Sequence, residues 1–130
     1  MAENKEDVTS KQLAELCIKI AESRKAEDIK SLKLTDISLV SDYFIVCTGN
    51  SLPHLSAIAE WIKRKVREKY NIRPLAIDGE AQSQWIIIDF GSVMVHILTP
   101  EAREKYQLEE LWGDAEKLEE LLAERLSSNI

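Results

Sequence analysis

Trp85–Leu98, WIIIDFGSVMVHIL, reads as a β-hairpin with two unlike faces. Gly91-Ser92 suits a two-residue turn of the kind that takes glycine first. Setting Phe90 opposite Val93 defines the register, and a period of two then sorts the side chains. One face collects Ile86, Ile88, Phe90, Val93, Val95 and Ile97, which is wholly apolar and belongs on a core. The other collects Trp85, Ile87, Asp89, Met94, His96 and Leu98, too apolar for plain solvent and too polar for a plain core. Two readings of that second face stand side by side. In one, a second helical layer covers it and His96 bonds a carboxylate or a carbonyl. In the other it is an exposed recognition surface, with Trp85 as the anchor and its apolar neighbours keeping water out.

Working outward, Tyr43–Thr48, YFIVCT, is apolar on both faces, as expected of a central strand. Gly49-Asn50-Ser51 ends it, and Asn50 or Ser51 caps a helix that carries Pro53 in its first turn. Leu55, Ile58, Ala59, Ile62 and Val66 form the apolar stripe of that helix. Upstream, Thr9 and Gln12 have capping-box spacing, and Leu13, Leu16, Cys17, Ile20 and Ala21 mark one face of a helix running to about Lys25. Asp28–Leu34 is a charged strand expected near a sheet edge. Leu75–Asp78 is a short strand before the Gly79 turn. Thr99-Pro100-Glu101 opens a short helix, and Asp114–Leu126 reads as a last amphipathic helix with Ala115, Leu118, Leu121 and Leu122 inward. The order helix–strand–strand–helix–strand–strand–strand–helix–helix predicts an α/β (α+β) domain spanning residues 1–130. Its core is a single mixed β-sheet of about five strands flanked by helices. No repeat, linker or low-complexity tract interrupts it.

At 130 residues the chain is long enough for a real core without disulfide or metal staples. Its 45% hydrophobic and 31% charged content excludes a disordered chain. No apolar run approaches the roughly 20 residues that cross a bilayer, and the polar start MAENKEDVTSKQ has no signal-peptide core, so no membrane role is expected. Cys17 and Cys47 have no metal spacing and fall in apolar patterns, which predicts buried reduced thiols and a cytoplasmic location. The net charge of −6 argues against a phosphate-neutralising nucleic-acid binder and for a basic protein partner. The charge is uneven: Lys63, Arg64, Lys65, Arg67 and Lys69 dominate one helix, while nine acids against four bases follow from Glu101 onward.

Each motif with catalytic potential also has a structural explanation. At TGNS, residues 48–51, a helix N-terminus could bind an anion, but neither GxxxxGK(S/T) nor GxGxxG is present and capping explains the residues. Asp42, Asp78, Glu80 and Asp89 are the candidates for metal or acid–base work. Asp78-Gly79-Glu80 straddles a glycine turn, where Asp is expected for turn reasons. The alternative function these acids support is a nucleotide-binding or nucleotidyltransferase-like enzyme using Asp42, Asp78 and Asp89. Cys47 has no evident histidine partner, and two histidines make no convincing metal cluster. His54 is placed in the first turn of its helix. No cofactor or metal is expected.

These residues carry a family resemblance covering about Ala14 to Ala115. Its ordered motifs are Asp28-Ile29, SDYFIVCTGNS at 41–51, Ala57–Ala59, DGE at 78–80, WIIIDFGSVMVHIL at 85–98 and REKYQLEELWGDA at 103–115. Together they are specific, though each alone is weak. The chain resembles the ribosomal silencing factors, the Iojap family. It departs from the family pattern in Asp78, where Glu is usual, in Pro53, and in Leu98, where an aromatic is more typical. The resemblance implies a nucleotidyltransferase-like fold without the catalytic acids. It also implies a non-enzymatic repressor of translation that docks on protein fourteen of the large ribosomal subunit and blocks subunit joining. By matching motif positions, Trp85 and Asp89 are the foremost partner-binding residues, with Glu80, His96 and Ile87 beside them. Tyr106, Glu109 and Trp112 could equally anchor the last helices to the core. A homodimer through Trp61 or the C-terminal helix is possible, and little direct nucleic-acid binding is expected.

Overall fold

The computed structural model describes residues 7–33 and 41–111. Within them the chain runs α1 (Ser10–Ser23), β1 (Glu27–Lys33), β2 (Tyr43–Thr48), α2 (Leu52–Tyr70), β3 (Ala76–Asp78), β4 (Trp85–Asp89), β5 (Val93–Leu98) and α3 (Pro100–Tyr106). Two 3-10 turns, Ala81–Ser83 and Leu108–Leu111, complete it. The expected helix at 114–126 and Trp112 lie outside the described residues.

The five strands form one mixed sheet in the order β1-β2-β5-β4-β3. β2 and β5 are parallel, and every other neighbouring pair is antiparallel. The hairpin has the expected register, with Trp85 opposite Leu98, Ile87 opposite His96 and Asp89 opposite Met94. Gly91 sits at φ +91, the left-handed geometry that makes glycine necessary at the turn, and the Phe90 N–H closes it on the Val93 carbonyl at 2.9 Å. β2 is central, as its two-sided apolarity predicts, and the charged β1 is an edge strand.

Local chemistry sets the helix ends. Thr9 Oγ1 accepts the Gln12 N–H at 3.1 Å while the Gln12 side chain accepts the Thr9 N–H at 2.9 Å, the reciprocal capping box. α1 stops at Ser23, two residues before the expected end, because Lys25 takes φ 60. Ser51 caps α2, and Asn71 terminates it in the left-handed region. Gly49 permits the close approach of the β2–α2 turn: a Cβ there would stand 2.9 Å from Leu55 Cδ2. The N-terminal amides of α2 are satisfied from within. His54 Nδ1 accepts the Asn50 N–H at 2.9 Å, Ser51 Oγ accepts the His54 N–H at 3.1 Å, and the Ser51 carbonyl accepts the Leu55 N–H at 3.0 Å. TGNS is therefore a cap, and His54 Nε2 reaches the Arg24 carbonyl at 2.8 Å to tie the end of α1 to the start of α2.

The sheet separates two cores. On one side α1 and α2 bury Leu13, Cys17, Leu55, Ile58, Ile62 and Val66 against Ile45, Ile86, Ile88, Val95 and Ile97. On the other, Phe44, Val46, Trp85, Ile87, Met94 and Leu98 pack against Ala102 and Leu108, with Leu32 and Tyr106 at the margin. Cys17 and Cys47 are free and buried, and burial pushes both thiols up to about 12.

Candidate partner-binding site

The second hairpin face is covered, as one of its two readings had it, which overturns the other reading of an exposed recognition surface. Trp85, Ile87 and His96 have no exposed area. α3 and the Leu108–Leu111 turn lie over them, although these segments place only Ala102 and Leu108 fully in the core. Trp85 stacks at 4.6 Å and 45° from Tyr106, and His96 packs at 4.7 Å from Phe44. The expected partner of His96, a carboxylate or a carbonyl, is also corrected: Trp85 Nε1–H donates to His96 Nδ1 at 3.0 Å. An accepting Nδ1 puts the ring proton on Nε2, and burial pushes the imidazole down to about 3, so the ring is neutral.

Two of the five expected site residues remain at the surface. Glu80 is exposed and Asp89 half-buried, and both border the edge strand β3. Asp89 pairs with Ala76, its carbonyl accepts the Leu75 N–H at 2.7 Å, and its Oδ1 accepts the Gly91 N–H at 2.7 Å. Asp89 thus shapes the hairpin turn as well as facing outward. Glu80 follows the other end of β3, its N–H donating to Ser83 Oγ at 3.2 Å. Between them stand Leu75, 75% exposed, and Ile77, 45% exposed. Sequence reasoning placed both in a strand but missed them as surface, because alternation does not say which strand ends a sheet.

A second charged surface joins β1 to α3. Arg103 Nε donates to Glu109 at 2.7 Å, its Nη1 donates to Thr48 Oγ1 at 2.9 Å, and its Nη2 lies 3.6 Å from Asp28. Lys30 completes the set at 3.1 Å from Glu109. Partial burial raises the Glu109 pKa, but its hydrogen bonds to Arg103 and Lys30 outweigh that and hold it below the ordinary value. Glu27, Asp28, Glu104 and Glu110 line a cavity of about 450 Å³ around Arg103 and leave this side acidic. Tyr106 and Glu109 do anchor the final segments to the core, as one of their two expected roles had it.

The acids of the enzymatic alternative each have a structural setting of their own. Asp42 precedes β2, its N–H bonded to the Ser92 carbonyl at 2.8 Å. Asp78 is buried at the end of β3, opposite Ile87, and Asp89 is engaged at the turn. Among the described residues no three of His, Cys, Asp and Glu are grouped to hold a metal ion.

The family model for the ribosomal silencing factor during starvation matches residues 7–129, extending past Ala14 and Ala115 on both sides. A ribosomal silencing factor from Halalkalibacterium halodurans is 37% identical over 112 residues, covering 86% of this chain and 95% of that one. The mouse protein named for mitochondrial assembly of the ribosomal large subunit is 30% identical over 100 residues, covering 75% of this chain and 44% of its own length. A crystal structure from Chromobacterium violaceum superposes with a TM-score of 0.78 at 28% identity, covering 82% of this chain and 88% of that one. With a family match across nearly its whole length and the sheet-and-helix architecture of a solved relative, the chain belongs to the ribosomal silencing factor family.

Proposed function

We propose that this chain represses translation by docking on the large ribosomal subunit through its protein fourteen and excluding the small subunit. The family match over residues 7–129 carries the reading. Charge supports it: a chain of net charge −6 with acids gathered around Arg103 is suited to a basic ribosomal protein. Direct contact falls to Glu80 and Asp89, the expected site residues that reach solvent.

The mechanism is steric. An interface of roughly 1,600 Å² suffices for stable docking, and occupancy alone then keeps the other subunit away. Neither a cofactor nor a catalytic step is needed, and the place of action is the cytoplasm. The test is sucrose-gradient sedimentation with separated subunits, followed by a subunit-joining assay. The protein should travel with the large subunit and reduce joining in proportion to occupancy. Sedimentation with the small subunit alone, or joining unchanged at full occupancy, overturns the proposal.

A further inference from the structure

The two edges of the sheet are built differently. β1 carries the devices that discourage strand pairing: lysines at 30 and 33, an irregular register between Glu27 and Lys30, and Asp28 at φ 49. β3, the other terminal strand, is kept short, at three residues, and follows Pro74, but carries no lysine, register shift or left-handed residue. It offers Ala76 and Ile77, preceded by Leu75, which lies against the hairpin turn within 3.1 Å of where a Cβ on Gly91 would stand. Leu75 and Ile77 are two of the three large exposed hydrophobics among the described residues.

Beside this edge runs a groove of about 760 Å³ between β3 and α2. Pro74, Ala76 and Ile77 line its apolar side, and Lys63, Arg64, Arg67 and Arg73 line the other together with Glu60 and Glu68. Lys63 pairs with Glu60 at 2.9 Å and Arg64 with Glu68 at 3.2 Å. Arg67 and Arg73 have no ion pair among the described residues. In a chain of net charge −6 this groove is where, among the described residues, unpaired arginines, exposed aliphatic side chains and a terminal strand coincide.

We propose that the α2–β3 groove binds an extended acidic segment of a second protein, added as a sixth strand alongside β3. The strand would pair its backbone with the outer edge of β3, lay an apolar side chain over Ile77 and set carboxylates against Arg67 and Arg73. The arginines of this groove repel a basic ribosomal protein, so the site goes beyond the large-subunit reading to a second, acidic partner, one that adjoins and competes with contacts at Glu80 and Asp89 on either end of β3. Nucleic acid fits less well, since the groove holds no aromatic ring to stack on bases. A second copy fits less well too, because pairing two β3 edges brings like-charged arginines together.

The test is a titration of the isotope-labelled full chain, followed by amide NMR, with the acetylated hexapeptide Thr-Val-Thr-Glu-Thr-Glu. The valine and both glutamates of this probe fall on one face of a strand. Saturable shifts are expected at residues 73–78 and along α2, weakened at least tenfold when lysines replace the glutamates or in Arg67→Glu. Arg67 is exposed and outside the core, so the variant should keep its fold, which its amide spectrum checks directly. Equal binding of the lysine peptide, shifts confined to another surface, or no saturable shift at millimolar peptide overturns the proposal. So does tighter binding of a single-stranded oligonucleotide to the same amides, or a dimer that Ile77→Lys dissociates. None of these readouts involves ribosomes, so failure here leaves the subunit-docking proposal to its own test.

Discussion

The two faces of the β4–β5 hairpin alternate residue by residue, yet they are buried by different means. The face built on Ile86, Ile88, Val95 and Ile97 meets two amphipathic helices of 14 and 19 residues. The face built on Trp85, Ile87, Met94 and Leu98 meets a seven-residue helix and a four-residue 3-10 turn. A long helix covers a sheet with its own stripe of small and medium aliphatics. A short one cannot, so large aromatic groups fill the volume, a Trp–His hydrogen bond satisfies the indole N–H and His96 Nδ1, and the Arg103 clamp holds the cover in place. One face is stabilised by many interchangeable aliphatic contacts, the other by a few specific ones.

That contrast can be broken most sharply by truncation on each side. Trp85→Ala should destabilise the chain by about 3–5 kcal/mol and Ile88→Ala by about 2–5 kcal/mol, both read from thermal or urea melts. If Trp85→Ala left the melting curve unchanged, the second face would be surface after all. Acid should act on one face alone. His96 sits at about 3 in the folded chain against 6.5 when unfolded, so between those values the unfolded state binds a proton that the folded state refuses. Its contribution is therefore fully present above pH 6.5 and is lost as pH falls toward 3. The loss is about 2 kcal/mol between pH 7 and pH 5. His96→Leu should flatten this part of the stability–pH curve relative to the parent, and parallel curves would refute the assignment.

A milder probe is Trp85→Phe, which keeps a ring but deprives His96 Nδ1 of its donor. It should cost about 1–3 kcal/mol beyond the lost volume, whereas a volume-matched swap such as Ile88→Leu should cost less than about 1.5 kcal/mol. The aliphatic side also holds Cys17 and Cys47, whose thiols at about 12 are almost wholly protonated at pH 8. Their alkylation by iodoacetamide should follow global unfolding, and labelling much faster than amide exchange of the neighbouring strands would contradict that burial. Smallest of all, Glu80→Lys lies outside both faces and should change stability by no more than about 0.5 kcal/mol. Under the docking proposal it should nonetheless weaken large-subunit binding.

Much of this molecule follows from local pattern alone. The hairpin register follows from one glycine turn and a strict alternation, α1 and α2 from caps and apolar stripes, and the edge position of β1 from its charges. Each of these signals is complete within a few residues of sequence, because dihedral preference, capping and period-two geometry are local physics. What lay over Trp85 and His96 was a different kind of question. Alternation says which side chains share a face but not what covers them, and Ala102, Tyr106 and Leu108 form too short a pattern to announce a covering layer. The same limit hid Arg103, whose partner Thr48 is 55 residues away in sequence, and the exposure of Leu75 and Ile77, which depends on β3 being last in the sheet. Those properties belong to the order of strands and the arrival of distant segments. Only the assembled tertiary structure decides them, since burial of a sheet face is a relation between elements and not a property of any one.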